Sequence, residues 1–330
     1  MKFLPYSNGV RRANLKKKRS PKEKAKLFCI IFISLLVIGM IFQNISNFID
    51  GERIREKVDY TTVDDLRMDY RISGEGKYSI VFDGALGATL EAWSPIVEQL
   101  KDDDVQTFVY NRRGYGYSNS GSRRTPEEQA QDLKILLRKS GMSEPYILVG
   151  EGYGSLVLTS FAEQFKDSVE AVILIDPINE DTIKSKSYAR SQGITKFRRF
   201  IENIGSQIGV TALMDKLNLD INLTDLESAL PEDTKEEFLA YRTKSKYTSA
   251  VYNELTTLTK GDSNSQKEGV FSGIPYYLIT KLENDPLAKL GSSDLTTTYV
   301  TKCEKDFLAL NDQDNVLNAI RDIIKKLNNK

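Results

Sequence analysis

No histidine occurs anywhere in the 330 residues. The chain therefore lacks the one side chain whose ordinary pKa lies near neutrality, which is also the commonest zinc ligand. Cysteine is almost as scarce. Cys29 lies within an apolar run and Cys303 towards the C-terminal end, so the two are not expected to pair, and neither a zinc site nor any other cofactor is expected. Net charge is missing as well, since 46 basic residues cancel 46 acidic ones. The cancellation hides a segregation. Residues 1–26 hold ten Lys/Arg against Glu23 alone, leaving 36 basic and 45 acidic residues in the rest.

Long hydrophobic runs are absent with one exception. Residues 27–45 (LFCIIFISLLVIGMIFQNI) carry no charge, and as a helix they extend about 28 Å, close to the hydrocarbon thickness of a bilayer. The basic residues run directly into this stretch, which points to a membrane flank rather than a nucleic-acid arm. No small-residue cleavage site follows at Gln43 to Asn47, so an uncleaved anchor is expected rather than a signal peptide. The positive-inside rule then leaves residues 1–26 cytoplasmic and sends the chain from Ser46 onward to the outer face of the cell membrane, with residues 46–59 as a stalk and 60–330 as the outer domain.

That domain reads as strand and helix in alternation. Residues 78–82 (YSIVF), 107–110 (TFVY), 146–149 (YILV) and 171–175 (AVILI) are short apolar runs of the kind that form buried parallel strands. Residues 90–100, 126–140 and 155–165 carry helical spacing between them, and Thr125-Pro126-Glu127-Glu128 is a helix start. Residues 181–273 break the rhythm, being polar and helix-rich (196–204 and 234–247), and read as an inserted cap. Residues 274–280 (IPYYLIT) resume the strand pattern, 297–301 offer another strand, and 316–327 predict a closing amphipathic helix.

The strand at 146–149 ends in Gly150-Glu151-Gly152-Tyr153-Gly154-Ser155 before a helix. A strand, a tight glycine turn and a helix resemble the nucleophile elbow of the α/β-hydrolases, G-x-S-x-G, in which a strained residue lifts its hydroxyl above the sheet. Here Gly152 stands at the nucleophile position. Asp83-Gly84-Ala85-Leu86-Gly87 resembles the family's oxyanion-hole segment, with Trp93 following as a packing residue, and Asn111-Arg112-Arg113-Gly114-Tyr115-Gly116-Tyr117-Ser118 resembles its next turn. Leu174-Ile175-Asp176-Pro177 resembles the strand end after the elbow. The resemblance implies an α/β-hydrolase fold: a mostly parallel central sheet, helices on both faces, a helical cap insertion, and here one transmembrane helix in front. It also implies that Asp306 occupies the position of the family's catalytic His, and that Glu283 or Asp285 lies near its acid.

The family's chemistry does not follow from the resemblance. A hydroxyl nucleophile needs a base beside it, and both are missing, so a non-hydrolytic binding or sensing role is expected. Asp83, Glu151 and Asp306 stand where active relatives commonly carry His, which implies an acidic pocket formed by Asp83, Gly84, Glu151 and Tyr153. Such a pocket would raise a carboxylate pKa and attract a small cationic ligand such as an amine, a basic peptide or calcium, while drift after loss of catalysis would give the same residues without a ligand. Two rival readings remain. Paired carboxylates such as Glu151 and Asp83 can perform acid–base chemistry of their own. Gly150-x-Gly152-x-x-Ser155 with Asp176 is also a near match to a dinucleotide fingerprint, although that fingerprint ordinarily follows the first strand of its fold.

Overall fold

A computed structural model of the chain describes residues 20–53, 58–211, 214, 217 and 226–329. Most of the basic tail (residues 1–19), part of the expected stalk (54–57), parts of the cap insertion and Lys330 lie outside the described residues. The apolar run forms a helix that begins earlier and ends later than expected: α1 is continuous from Pro21–Arg53. Its stretch Pro21–Ile41 is long and apolar enough to cross a membrane. Residues 46–53 of the expected stalk are helical, as the continuation of α1.

Eight strands make one sheet: β1 (Asp59–Val63), β2 (Leu66–Ser73), β3 (Tyr78–Asp83), β4 (Val105–Tyr110), β5 (Tyr146–Glu151), β6 (Val169–Ile175), β7 (Tyr276–Thr280) and β8 (Thr296–Val300), in the order β1-β2-β4-β3-β5-β6-β7-β8. The pairs from β4 to β8 are parallel, whereas β1 and β2 add antiparallel at one edge. Side chains on successive strand residues point to opposite faces. Val81, Leu148, Val172 and Leu174 accordingly face α3 (Pro126–Ser140) and α4 (Tyr153–Gln164), while Ile80, Phe82, Val149 and Ile173 face α2 (Ser94–Gln99) and the closing helix. A parallel sheet covered on both faces is why these strands read as unbroken apolar runs.

Helix α3 starts where the sequence predicts. Thr125 and Glu128 form a reciprocal capping box, Pro126 fills the first turn, and Gly141 ends the helix in the left-handed region. Between β6 and β7 lie α5 (Glu180–Ile183), α6 (Lys186–Ser191), α7 (Gly193–Gln207), α8 (Leu226–Ala229), α9 (Glu232–Arg242) and α10 (Ser245–Lys260). The helix expected over 234–247 is therefore two helices, broken at Thr243–Lys244. The cap has its own core, in which Tyr241, Tyr247, Phe238 and Val251 meet Tyr115 and Tyr117 of the segment after β4. After β8 come α11 (Leu308–Asn311) and α12 (Gln313–Asn328), the latter burying Val316, Leu317, Ala319, Ile320 and Ile323 on the sheet.

Candidate functional site

The turn between β5 and α4 has the geometry of an elbow without its nucleophile. Gly152 sits at φ 53°, ψ −112°, a conformation that strains any residue with a Cβ. The glycines on either side are dictated by contact. A Cβ on Gly154 would overlap the carbonyl of Asp83, and one on Gly150 would lie 3.0 Å from the carbonyl oxygen of Gly154. The amide of Gly154 donates to the carbonyl of Gly84 (3.0 Å), which locks the helix start against the segment after β3. Ser155 is structural: its hydroxyl donates to the Gly152 carbonyl (2.6 Å) and accepts from the amide of Ile178 (3.3 Å). Trp93 packs on Phe82 with ring centroids 4.9 Å apart.

Asp83 lies beside this turn, fully buried, but it does not face a second acid across an empty pocket. It forms an ion pair with the guanidinium of Arg112 and accepts from the hydroxyl of Tyr110 (2.7 Å). Arg112 also reaches the cap, where Glu254 of α10 accepts from its Nε (2.7 Å) and its Nη2 (3.1 Å). The remaining donors meet the carbonyls of Gly84 (2.8 Å) and Ala85 (3.1 Å). The guanidinium stands over the rings of Tyr115 (4.9 Å) and Tyr153 (5.1 Å). The hydroxyl of Tyr115 donates to Glu254 (2.5 Å) and accepts from the amide of Gly87 (3.1 Å), while the hydroxyl of Tyr247 donates to the carbonyl of Gly87 (2.7 Å). Burial raises the pKa of Glu254 against the pull of Arg112. Burial would lower that of Arg112, but the Glu254 and Asp83 carboxylates outweigh it and hold the guanidinium charged.

Glu151 belongs to a separate cluster. Its carboxylate is fully buried, accepts from the amide of Ala309 (3.2 Å), and is pushed up to about 7 by burial, assisted by the negative charge of Asp176. Lys281 bridges Asp176 (3.0 Å) and Asp306 (3.4 Å). Asp306, at the family's His position, is 71% exposed. The expected convergence of Asp83, Glu151 and Asp306 in one acidic pocket is thus corrected to two clusters, each with its own internal cation. A buried carboxylate persists only when paired or protonated, so Asp83 is paired with Arg112 and Glu151 favours its protonated form, while Asp306 stays in solvent. Among the described residues no group of three or more Cys, Asp or Glu is placed to hold a metal ion.

Neither acid candidate reaches the elbow as a free carboxylate. Asp285 caps a short 3-10 turn, accepting from the amide of Leu287 (2.9 Å) and the hydroxyl of Thr280 (2.7 Å), and Glu283 is exposed. Of the expected pocket residues, Asp83, Gly84 and Tyr153 do meet, around Arg112. The sequence reading missed Arg112 and Glu254. Glu254 carried a signal, since it shares a helical face with the buried Tyr247, Val251, Leu255 and Leu258, where a lone carboxylate implies a buried partner.

A narrow cleft, with room of about 30 Å³ for a water-sized group, lies between α10 and residues 112–124. Its walls include Arg112, Arg113, Arg123, Arg124, Lys246 and Glu254, and do not include Glu151, Gly152 or Asp306. Arg113 and Arg124 are paired with Asp132 and with Asp64, and Arg123 with Asp262. Burial lowers the pKa of Lys246 to about 8.

A mostly parallel sheet, a strained glycine turn between β5 and α4 and a helical cap define an α/β-hydrolase scaffold, with Gly152 in that turn. The chain belongs to the alpha/beta hydrolase fold family, whose family model matches residues 78–295. Among curated proteins it is similar to the uncharacterized protein YqjL of Bacillus subtilis (strain 168), 31% identical over 105 residues, covering 32% of this chain and 41% of that one. It is also similar to YbdG of the same organism, 26% identical over 161 residues, covering 46% and 49%. The chain thus spans less than half the length of these two relatives. Solved structures that share the fold include a variant of a Vigna radiata epoxide hydrolase (TM-score 0.63, 15% identity, 82% of this chain and 99% of that one). The enol-lactonase of Burkholderia xenovorans LB400 is another (TM-score 0.58, 18% identity, 81% and 100%). In this family the Gly150-x-Gly152 turn on the third parallel strand is the elbow, and Asp176 is engaged by Lys281, which replaces the dinucleotide reading.

Proposed function

We infer that the protein is a membrane-anchored, non-hydrolytic member of the family, with a binding or sensing role exercised by its capped domain on the outer face of the cell membrane. The observation that carries this reading is the elbow itself: the strained turn is retained at Gly152, but no atom there can attack a substrate. The chain contains no His to act as base, and a triad without its nucleophile or its base loses about 10⁶-fold in turnover. Arg112, held by Asp83 and Glu254, occupies the place where a cationic ligand was expected. The cleft between α10 and residues 112–124, walled by Arg112, Arg113, Arg123 and Lys246, is the place where a ligand would enter, by widening a space that admits little more than a water.

A second reading, carboxylate-based chemistry, draws on Glu151, whose pKa of about 7 suits a general acid or base. Its full burial and its hydrogen bond to Ala309 favour a structural role instead. Covalent trapping separates the two. The full chain is incubated with a reactive fluorophosphonate and with an epoxide, and its intact mass is measured. An unchanged mass is expected; an adduct mapped to residues 151–153 would overturn the non-hydrolytic reading.

A further inference from the structure

Helix α7 is amphipathic in the wrong sense for a soluble domain. Its polar side faces inward: Lys196 donates to Thr259 (2.9 Å), Ser206 bonds Thr248 (2.6 Å), and Arg199 is buried beside Glu202 (2.9 Å). Its apolar side faces out. Ile194 is 76% exposed and Phe197 63%, and Ile201 and Ile204 continue the same stripe at helical spacing. Phe200 closes one edge of the stripe against Tyr252, with ring centroids 5.8 Å apart. A contiguous exposed apolar face of this kind marks a surface that something covers.

Two further observations identify the cover. Lys186, Arg190 and Arg198 are exposed in and beside α7, basic residues of the kind carried by a helix lying on an anionic lipid surface. The end of α7 also lies against α1. A Cβ on Gly39 would overlap the carbonyl of Ile208, and one on Gly209 would overlap the carbonyl of Gly39, so the two backbones meet through glycine. Gly39 precedes the end of the apolar run by six residues, about 9 Å along the helix. Interfacial helices sink their apolar faces about 5 to 10 Å into the boundary between headgroups and acyl chains.

We propose that α7 is a membrane-interface helix, its Ile194–Phe197–Ile201–Ile204 face embedded in the leaflet from which α1 emerges, so that the cap rests on the bilayer. This rests on the reading of α1 as a membrane span, and the test reports on both. In a Cys29→Ser, Cys303→Ser background, single cysteines are introduced as Phe197→Cys, Ile201→Cys, Leu35→Cys and Lys325→Cys. Each is labelled with bimane, and the full chain is reconstituted in vesicles of phosphatidylcholine and phosphatidylglycerol with and without brominated acyl chains. Bromolipid quenching at positions 197, 201 and 35, with none at 325, is the expected result. Quenching at 35 but not at 197 or 201 would overturn the interface helix while leaving the span intact. A blue-shifted but unquenched label at 197 would do the same, by showing that α1 or a second copy of the chain covers the face. Absence of quenching at 35 would refute the span itself.

Discussion

Arg112 and Glu254 stand 142 residues apart in the chain and meet in a two-point ion pair, Nε to Oε1 at 2.7 Å and Nη2 to Oε2 at 3.1 Å. The pair ties the turn after β4 to helix α10 of the cap, and with Asp83 it fills the space beside the elbow. Both partners are almost wholly buried, so removing one leaves the other charge unpaired in a site of low polarity. Arg112→Met should therefore destabilise the domain by about 3–5 kcal/mol, read as a lower urea midpoint. Burial already raises the pKa of Glu254 above the ordinary carboxyl value, and loss of Arg112, which pulls it down, raises it further. Stability is then lost as pH climbs from the unfolded towards the folded pKa of Glu254, and the deficit should shrink as pH falls below about 4, where Glu254 is protonated in either state.

Glu151 gives a second pH signature. Its pKa is raised from 4.5 in the ordinary carboxyl to about 7 in the fold. A raised acid holds its proton more tightly when folded, so it favours the native state at low pH and loses that contribution between about pH 4.5 and 7. At roughly 1.4 kcal/mol for each tenfold change in proton affinity, the loss amounts to about 3 kcal/mol. Glu151→Gln keeps an oxygen for the Ala309 amide and removes the titration. Melting curves should show the variant more stable than the parent at pH 8 and level with it near pH 4.5.

Membrane orientation is checked by thiol accessibility. Cys303 is half-buried, so the exposed neighbour is used as well, as Lys302→Cys. A membrane-impermeant maleimide applied to intact cells should modify that thiol without lysis, while Cys29, within the span, stays unmodified. Labelling only after lysis would place the domain on the cytoplasmic side.

What could be read from the sequence followed from local pattern. The parallel strands were legible because burial on both faces leaves no polar alternation, and α3 because its capping box and its terminal Gly141 are local signals. The β1–β2 hairpin was seen only as strand-like texture from Tyr60. Its turn is Asp64-Asp65, both at positive φ (47° and 61°), and carries no glycine to announce it. The break between α9 and α10 likewise lacks Gly or Pro. The tight glycine turn around Gly152 was legible because glycine spacing there is set by backbone contact. The charge clusters did not: Arg112 finds Glu254, and Lys281 finds Asp176 and Asp306, only after the chain has folded, so the acids were visible while their partners were not. Residues 196–204 were legible as a helix within a polar segment, but the apolar side that α7 presents outward is decided by packing on α10.

The central claim is that the elbow is present and its chemistry is gone, and turnover of an activated ester tests it most directly. The full chain, its Gly152→Ser form and its Glu151→Gln form are purified identically, and release of p-nitrophenol from p-nitrophenyl acetate is followed. All three should match the buffer rate. Serine at position 152 gains a hydroxyl but no base. Its Cβ would stand 3.1 Å from that of Ala85 at φ 53°, at a cost of roughly 1–3 kcal/mol in stability. Hydrolysis by the unmodified chain that survives repurification and falls in the Glu151→Gln form would contradict the account and establish a carboxylate enzyme in its place.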